Sequence, residues 1–238
     1  MISTRLNPAR RGASLDWIDP CLDLLPAARA PSSFSLLAPR LAAAASAWLF
    51  LALASLAAAL CVAVDVLVSG HGLSEFSLSE TAQHALLLAC VVLFAADAAR
   101  NPRSRAFSIL AAGFFACLLV RELDAFLDWI RHGFWIWPAS LLAASSLFAA
   151  SLAPPGSFWK PLADFLESRA GLLLGAGLVV LLVFSRLFGS GALWQPLVPP
   201  DHCAAVKSAA QEGVELLGYV FAACGARLHA GRNPSLPA

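Results

Sequence analysis

Two glutamates and a tyrosine near the C-terminus are the residues whose types and spacing best fit a chemical role. Glu212, Glu215 and Tyr219 lie at positions i, i+3 and i+7, so a helix places all three on one face. Apolar residues surround them, and two desolvated carboxylates this close together can share and exchange a proton. This face is predicted to point into the protein and to form a polar site.

A second polar group begins with Arg121. Glu122 follows directly, and Asp124 and Asp128 come soon after. The apolar stretch before them, 106–120, spans about 22 Å as a helix, which is less than the ~30 Å hydrocarbon core of a bilayer. These polar residues are therefore expected to enter the membrane edge. Arg121 either pairs with Asp124 at a helix end or neutralises carboxylates of neighbouring helices.

His84 and Arg186 complete the predicted polar site. His84 follows Glu80 by one turn, and the pattern Ser77-x-x-Glu80 predicts a capping box that accounts for Glu80. A hydrogen-bonded histidine inside a helix bundle is favoured over a metal ligand at position 84. Arg186 lies near the end of the apolar stretch 171–189, where it either reaches the membrane surface or pairs with an acid.

Metal and cofactor binding are not predicted. None of the six cysteines forms a C-x-x-C pair, and most lie in apolar runs, where cysteine commonly packs as a small hydrophobe. If a divalent metal were bound, oxygen and nitrogen ligands would come from the outer polar residues. That conditional set is His84, Asp124, Asp128, His132 and Glu212.

The composition indicates a bilayer as solvent. Of the 238 residues, 59% are hydrophobic and 13% are charged, and the mean hydropathy is +0.74, whereas soluble domains have about 45–50% apolar and about 25% charged residues. The net charge of +1 argues against nucleic acid as a partner. Alanine, leucine and arginine dominate, with only two lysines, as is typical of a GC-rich bacterial genome. The expected location is the bacterial cytoplasmic (inner) membrane, as a multi-pass protein.

The apolar stretches predict an all-α polytopic bundle with about six transmembrane helices. A helix needs about 20 residues to cross the hydrocarbon core, and six stretches qualify or nearly do: 41–68, 80–99, 106–128, 134–153, 171–189 and 204–228. Apolar residues at helical spacing predict an interfacial amphipathic helix over 157–168. Residues 1–40 are predicted to be a mostly irregular cytoplasmic arm and 229–238 a short cytoplasmic tail. Gly171 and Gly175 predict close helix packing.

Arginine and lysine set the predicted orientation. They concentrate in alternate connections, and basic residues favour the cytoplasmic side. The cytoplasmic set is Arg5, Arg10, Arg11, Arg29, Arg40, Arg100, Arg103, Arg105, Lys160, Arg169, Arg227 and Arg232. The intervening connections hold only Arg131 and Lys207. Both termini are therefore predicted to be cytoplasmic, with the polar site in the outer half of the bundle.

Three functions fit these features. The first is a proton- or cation-linked transporter or channel, in which the carboxylates bind the cation and arginines act as exchangeable counter-ions. The second is an assembly or structural subunit without catalysis, whose polar residues fix helix packing. The third is a membrane-embedded metal-dependent lipid hydrolase or transferase. The lipid bilayer is the expected partner, together with a protein bound through the N-terminal arm and an unidentified ion or small molecule.

Overall fold

The computed structural model describes residues 33–69 and 77–231, except for the side chains of 33–36, 40 and 69. The predicted arm up to residue 32, the connection 70–76 and the tail from 232 onward lie outside the described residues. The chain divides into two units, 1–46 and 47–238. Of the first unit, the structure describes the beginning of one helix.

The described residues form helices joined by turns and short connections, with no strand among them, which confirms the all-α prediction. A π-helical turn, Val180–Phe184, joins α7 to α8, so that Arg169–Phe188 is continuous. In chain order the α-helices are α1 Ser33–Ser69, α2 Leu78–Arg100, α3 Arg105–Glu122, α4 Asp124–Asp128, α5 Ile136–Ser151, α6 Trp159–Leu166, α7 Arg169–Val179, α8 Ser185–Phe188, α9 Gly191–Trp194 and α10 Pro200–Ala230.

Three helical segments in the described part of the chain are long and apolar enough to cross a membrane. They are Leu37–Val68, Leu78–Arg100 and Arg169–Phe188, and Ile136–Ser151 is a shorter apolar helix. Large apolar side chains on these segments remain exposed, including Leu67 at 82%. Soluble monomers rarely expose continuous apolar surfaces of this extent. The length and composition of these helices suggest a membrane protein.

Helix α10 occupies the middle of the packing. It contacts α2 and α7, while α2 packs on α3 and α3 packs on α5. Buried phenylalanines fill the space between α2 and α3, where Phe94 and Phe115 stack with ring centroids 5.8 Å apart. A second apolar cluster joins Ala58 of α1 to Leu216 and Val220 of α10. The polar residues of α10 are therefore placed inside the bundle.

Glycines let α7 approach α10 closely. A Cβ at Gly177 would lie 2.5 Å from the carbonyl oxygen of Gly218, and one at Gly225 would lie 2.7 Å from the backbone nitrogen of Leu174. The close approach predicted for Gly175 is wrong, because a Cβ there meets nothing within 4 Å. Gly171 instead fits beside the backbone of Phe165. The glycines that allow close packing are thus Gly177, two residues beyond Gly175 on α7, and Gly225 on α10.

The N-terminus of α2 is capped by two side chains. Ser77 Oγ accepts a hydrogen bond from the Glu80 N–H at 3.1 Å, which confirms the serine part of the predicted cap. The buried Asp65 carboxylate of α1 accepts from the backbone N–H groups of Leu78 and Ser79 at 2.9 and 2.7 Å. Asp65 also accepts from the Ser79 hydroxyl at 2.6 Å. A carboxylate at this position satisfies free N–H donors and complements the helix dipole.

Candidate functional site

Helix α10 carries Glu215 and Tyr219 into the protein interior. Their exposed fractions are 7% and 2%, as expected for two residues one turn apart on the face that contacts α2 and α7. The Gln211 side-chain amide donates to Glu215 Oε1 at 3.1 Å. An acid and a phenol are thus buried side by side among apolar helices.

Glu122 links Tyr219 to Arg121. The Tyr219 hydroxyl donates to Glu122 Oε1 at 3.0 Å, and the Arg121 guanidinium forms an ion pair with the same oxygen. The predicted alternative of an Arg121–Asp124 ion pair is wrong, since Arg121 pairs with Glu122 and Asp124 is exposed. The pairing is possible because α3 ends at Glu122 and the chain turns at Leu123, so Asp124 no longer continues the Arg121 helix face.

His84 closes the same end of α3. Its Nε2 lies 3.2 Å from the backbone oxygen of Glu122, to which it donates when the proton is on that nitrogen. The last carbonyl groups of a helix lack partners within the helix, so His84 supplies one from α2. A hydrogen-bonded histidine within the bundle is what the sequence predicted at this position.

A cavity of about 180 Å³ lies between α3, α7, α8 and α10. Four leucines form its apolar wall, and four polar side chains share it. The leucines are Leu118, Leu178, Leu181 and Leu182, and the polar side chains are those of Arg121, Arg186, Glu215 and Tyr219. The structure thus brings four of the predicted site residues to one cavity.

The wall of this cavity contains the π-helical turn of the Arg169–Phe188 helix. Leu181 and Leu182 belong to the turn, and Arg186 follows it by less than one helical turn. The buried Ser185 hydroxyl donates to the carbonyl oxygen of Leu181 at 2.5 Å. π-Turns occur frequently at functional sites. The sequence offers no glycine or proline signal for this feature, so it was not predicted.

Glu212 lies apart from the cavity. Its Oε1 accepts a hydrogen bond from the Ser208 hydroxyl at 3.3 Å, whereas its buried Oε2 has no hydrogen-bond partner in the described part of the chain. Gln83 of α2 donates to the backbone oxygen of Glu212 at 3.4 Å. Glu212 and Glu215 are on one helix face but have different neighbours.

Asp128 forms a local turn beyond α3, outside the membrane-length helices. Its carboxylate accepts from the Gly133 N–H at 2.8 Å and contacts His132 Nδ1 at 2.7 Å. These two hydrogen bonds, the one from Gly133 first, hold the pKa of Asp128 below its ordinary value. Asp128 therefore takes no part in the cavity.

The conditional set of metal ligands is not assembled in the structure. Over residues 33–69 and 77–231, no three histidine, cysteine, aspartate or glutamate side chains come close enough to hold a metal ion. His84 binds the end of α3, and Asp128 and His132 bind each other.

A polar group at the opposite end of the bundle was not predicted from the sequence. Asp97 accepts hydrogen bonds from the hydroxyls of Ser104, at 2.8 Å, and Ser108. Its carboxylate lies 3.6 Å from His229 Nε2, and the His229 ring packs among Phe94, Phe107 and Phe165. The sequence gives no signal for this contact, because His229 is near Asp97 only in the folded chain.

Comparison with protein-family models, with curated proteins and with solved structures gives no match for this chain.

Proposed function

We propose that this protein is a proton- or cation-linked transporter or channel of the bacterial cytoplasmic membrane. The observation that carries the proposal is Glu215, a buried carboxylate on the wall of a cavity that also holds two arginines. Ionisable groups inside membrane helices are costly and usually mark a pathway or a binding site. The cavity supplies the solvent-sized space that such a pathway needs.

A six-span topology with cytoplasmic termini is part of this proposal. Contacts at the two ends of the bundle support it. At one end, Asp97 of α2, Ser104 before α3 and His229 of α10 lie together. At the other end, His84 of α2 contacts Glu122, the last residue of α3. The first end carries the connections rich in arginine, so we propose that it faces the cytoplasm and that the cavity lies towards the outer side.

Glu215 is the group proposed to bind the transported cation or proton. Arg121 is held by Glu122, so it keeps a fixed positive charge near the cavity without pairing with Glu215. Arg186 provides a second positive charge on the adjacent helix. A carboxylate next to such charges loses a bound proton or cation more readily than an isolated one. Arg121 thereby favours release, and the π-helical turn that precedes Arg186 supplies a place where the cavity wall can rearrange.

An assembly subunit is the second candidate. Several polar groups make hydrogen bonds between helices, including Asp65 with Ser79 and Tyr219 with Glu122. Such bonds contribute about 0.6–2 kcal/mol each to helix association in membranes. In this case the same residues would fix the packing, and no solute would cross.

Flux measurements separate the two candidates. Purified protein in proteoliposomes with an imposed membrane potential is assayed with an internal pH-sensitive dye, with and without added cations. We expect flux that Glu215→Gln abolishes and that Glu167→Gln, which changes an exposed acid at the other end of the bundle, leaves unchanged. No flux through wild-type protein, or flux that survives Glu215→Gln, contradicts the transport proposal and favours the assembly subunit.

A further inference from the structure

The cavity holds a carboxylate and a guanidinium that form no ion pair with any described residue. The other arginine of the cavity, Arg121, forms an ion pair with Glu122. Arg186 makes no ion pair with any described residue. The Glu215 carboxylate accepts a hydrogen bond from the neutral amide of Gln211 and likewise makes no ion pair within 33–69 and 77–231. One guanidinium and one carboxylate therefore share the same cavity, and neither is held in an ion pair by a described residue.

The two groups line one cavity without forming an ion pair with each other in the described structure. A single cation would meet Glu215 and leave Arg186 unmatched, and a single anion would do the reverse. A molecule that carries both an ammonium and a carboxylate group matches both, with its ammonium at Glu215 and its carboxylate at Arg186, whose planar fork suits a carboxylate.

The size and the wall of the cavity restrict the remainder of such a molecule. A volume of about 180 Å³ corresponds to roughly six water molecules at about 30 Å³ each. This is smaller than the pockets of about 300–1,000 Å³ that hold drug-sized ligands. Leu118, Leu178, Leu181 and Leu182 form the wall, so an apolar side chain of a few carbon atoms packs there favourably.

We propose that the outer cavity binds a small zwitterionic solute of the amino-acid type, with a short apolar side chain. The solute's carboxylate binds Arg186, its ammonium group binds Glu215, and its side chain contacts the leucine wall. This inference rests on the proposed function in one respect, since it names the substrate class of the same site.

Binding of three matched probes tests the charge requirement. Purified full-length protein in nanodiscs is titrated calorimetrically with L-leucine, with L-leucinamide, which keeps only the positive charge, and with N-acetyl-L-leucine, which keeps only the negative one. We expect L-leucine to bind and each analogue to bind at least about tenfold more weakly, because each lacks one charge-assisted contact. No binding of L-leucine, or equal binding of L-leucinamide, overturns the proposal.

Amino-acid substitutions test which residue binds each end of the solute. Arg186→Gln changes an exposed side chain, so we expect the fold to persist while L-leucine affinity falls to that of L-leucinamide. Arg169→Gln, at the other end of the same continuous helix, is the control and leaves binding unchanged. Unchanged L-leucine binding in Arg186→Gln contradicts the proposal. If wild-type protein shows proton flux that depends on Glu215 but does not bind L-leucine, this inference alone is rejected. If wild-type protein shows no flux that depends on Glu215, the transport function itself is rejected.

Discussion

The Tyr219 hydroxyl donates a hydrogen bond to Glu122 Oε1 across 3.0 Å, which connects the middle of α10 to the last residue of α3. The same oxygen receives the Arg121 guanidinium. One carboxylate thus fixes both an arginine and a phenol of the cavity wall. Because Tyr219 belongs to the turn after Glu215, this bond also fixes the rotation of α10 at the acid.

Loss of the Tyr219 bond is expected to destabilise the bundle. Tyr219→Phe removes the donor and keeps the ring, so we expect the free energy of unfolding to fall by about 0.6–2 kcal/mol. A double-mutant cycle with Glu122→Gln, measured by denaturant unfolding in mixed micelles, isolates the pair. A coupling energy of zero between the two substitutions would show that the hydrogen bond does not contribute.

The glycine contact between α7 and α10 can be tested with a matched pair two residues apart. Gly177→Ala places a Cβ 2.5 Å from the Gly218 carbonyl oxygen, so the helices must separate, at a cost of about 1–3 kcal/mol. Gly175→Ala adds a Cβ in open space and is expected to be neutral or slightly stabilising. Thermal midpoints of the purified variants check the difference. Equal midpoints would contradict the close helix approach.

The Asp65 cap gives a prediction for the joining of α1 to α2. Asp65→Asn replaces one acceptor oxygen with an amide group that faces N–H donors, and it removes the charge that complements the helix dipole. We expect the free energy of unfolding to fall by about 1–2 kcal/mol. The control is Asp201→Asn, an exposed acid in the first turn of α10, which should shift stability by less than about 0.5 kcal/mol. A larger fall in the free energy of unfolding for Asp201→Asn than for Asp65→Asn would contradict the capping role of Asp65.

The helical character of the chain could be predicted because it depends on local composition. Long apolar runs such as Leu78–Arg100 and Arg169–Phe188 fix helix type and length, and the serine cap at Ser77 depends on residues three positions apart. The inward position of Glu215 also followed from spacing along one helix, since Glu215 and Tyr219 are both buried. Each of these features is set by sequence neighbours.

Features that depend on contacts between distant segments were not predicted. Glu122, rather than Asp124, pairs with Arg121 because the chain turns at Leu123. His229 meets Asp97 only because α10 returns to the start of α3, and the sequence separation gives no sign of it. The π-helical turn has no residue signature, and Gly175 looked like a packing glycine because spacing alone does not identify the helix face.

Ion or proton flux in proteoliposomes that contain wild-type protein or the Glu215→Gln variant tests the central claim most directly, with Glu167→Gln as the matched control. The account predicts flux in wild type and in Glu167→Gln, and its loss in Glu215→Gln while the thermal midpoint shows that the variant is folded. Equal flux in all three proteins, or none in any, would contradict a transport role for the buried carboxylate.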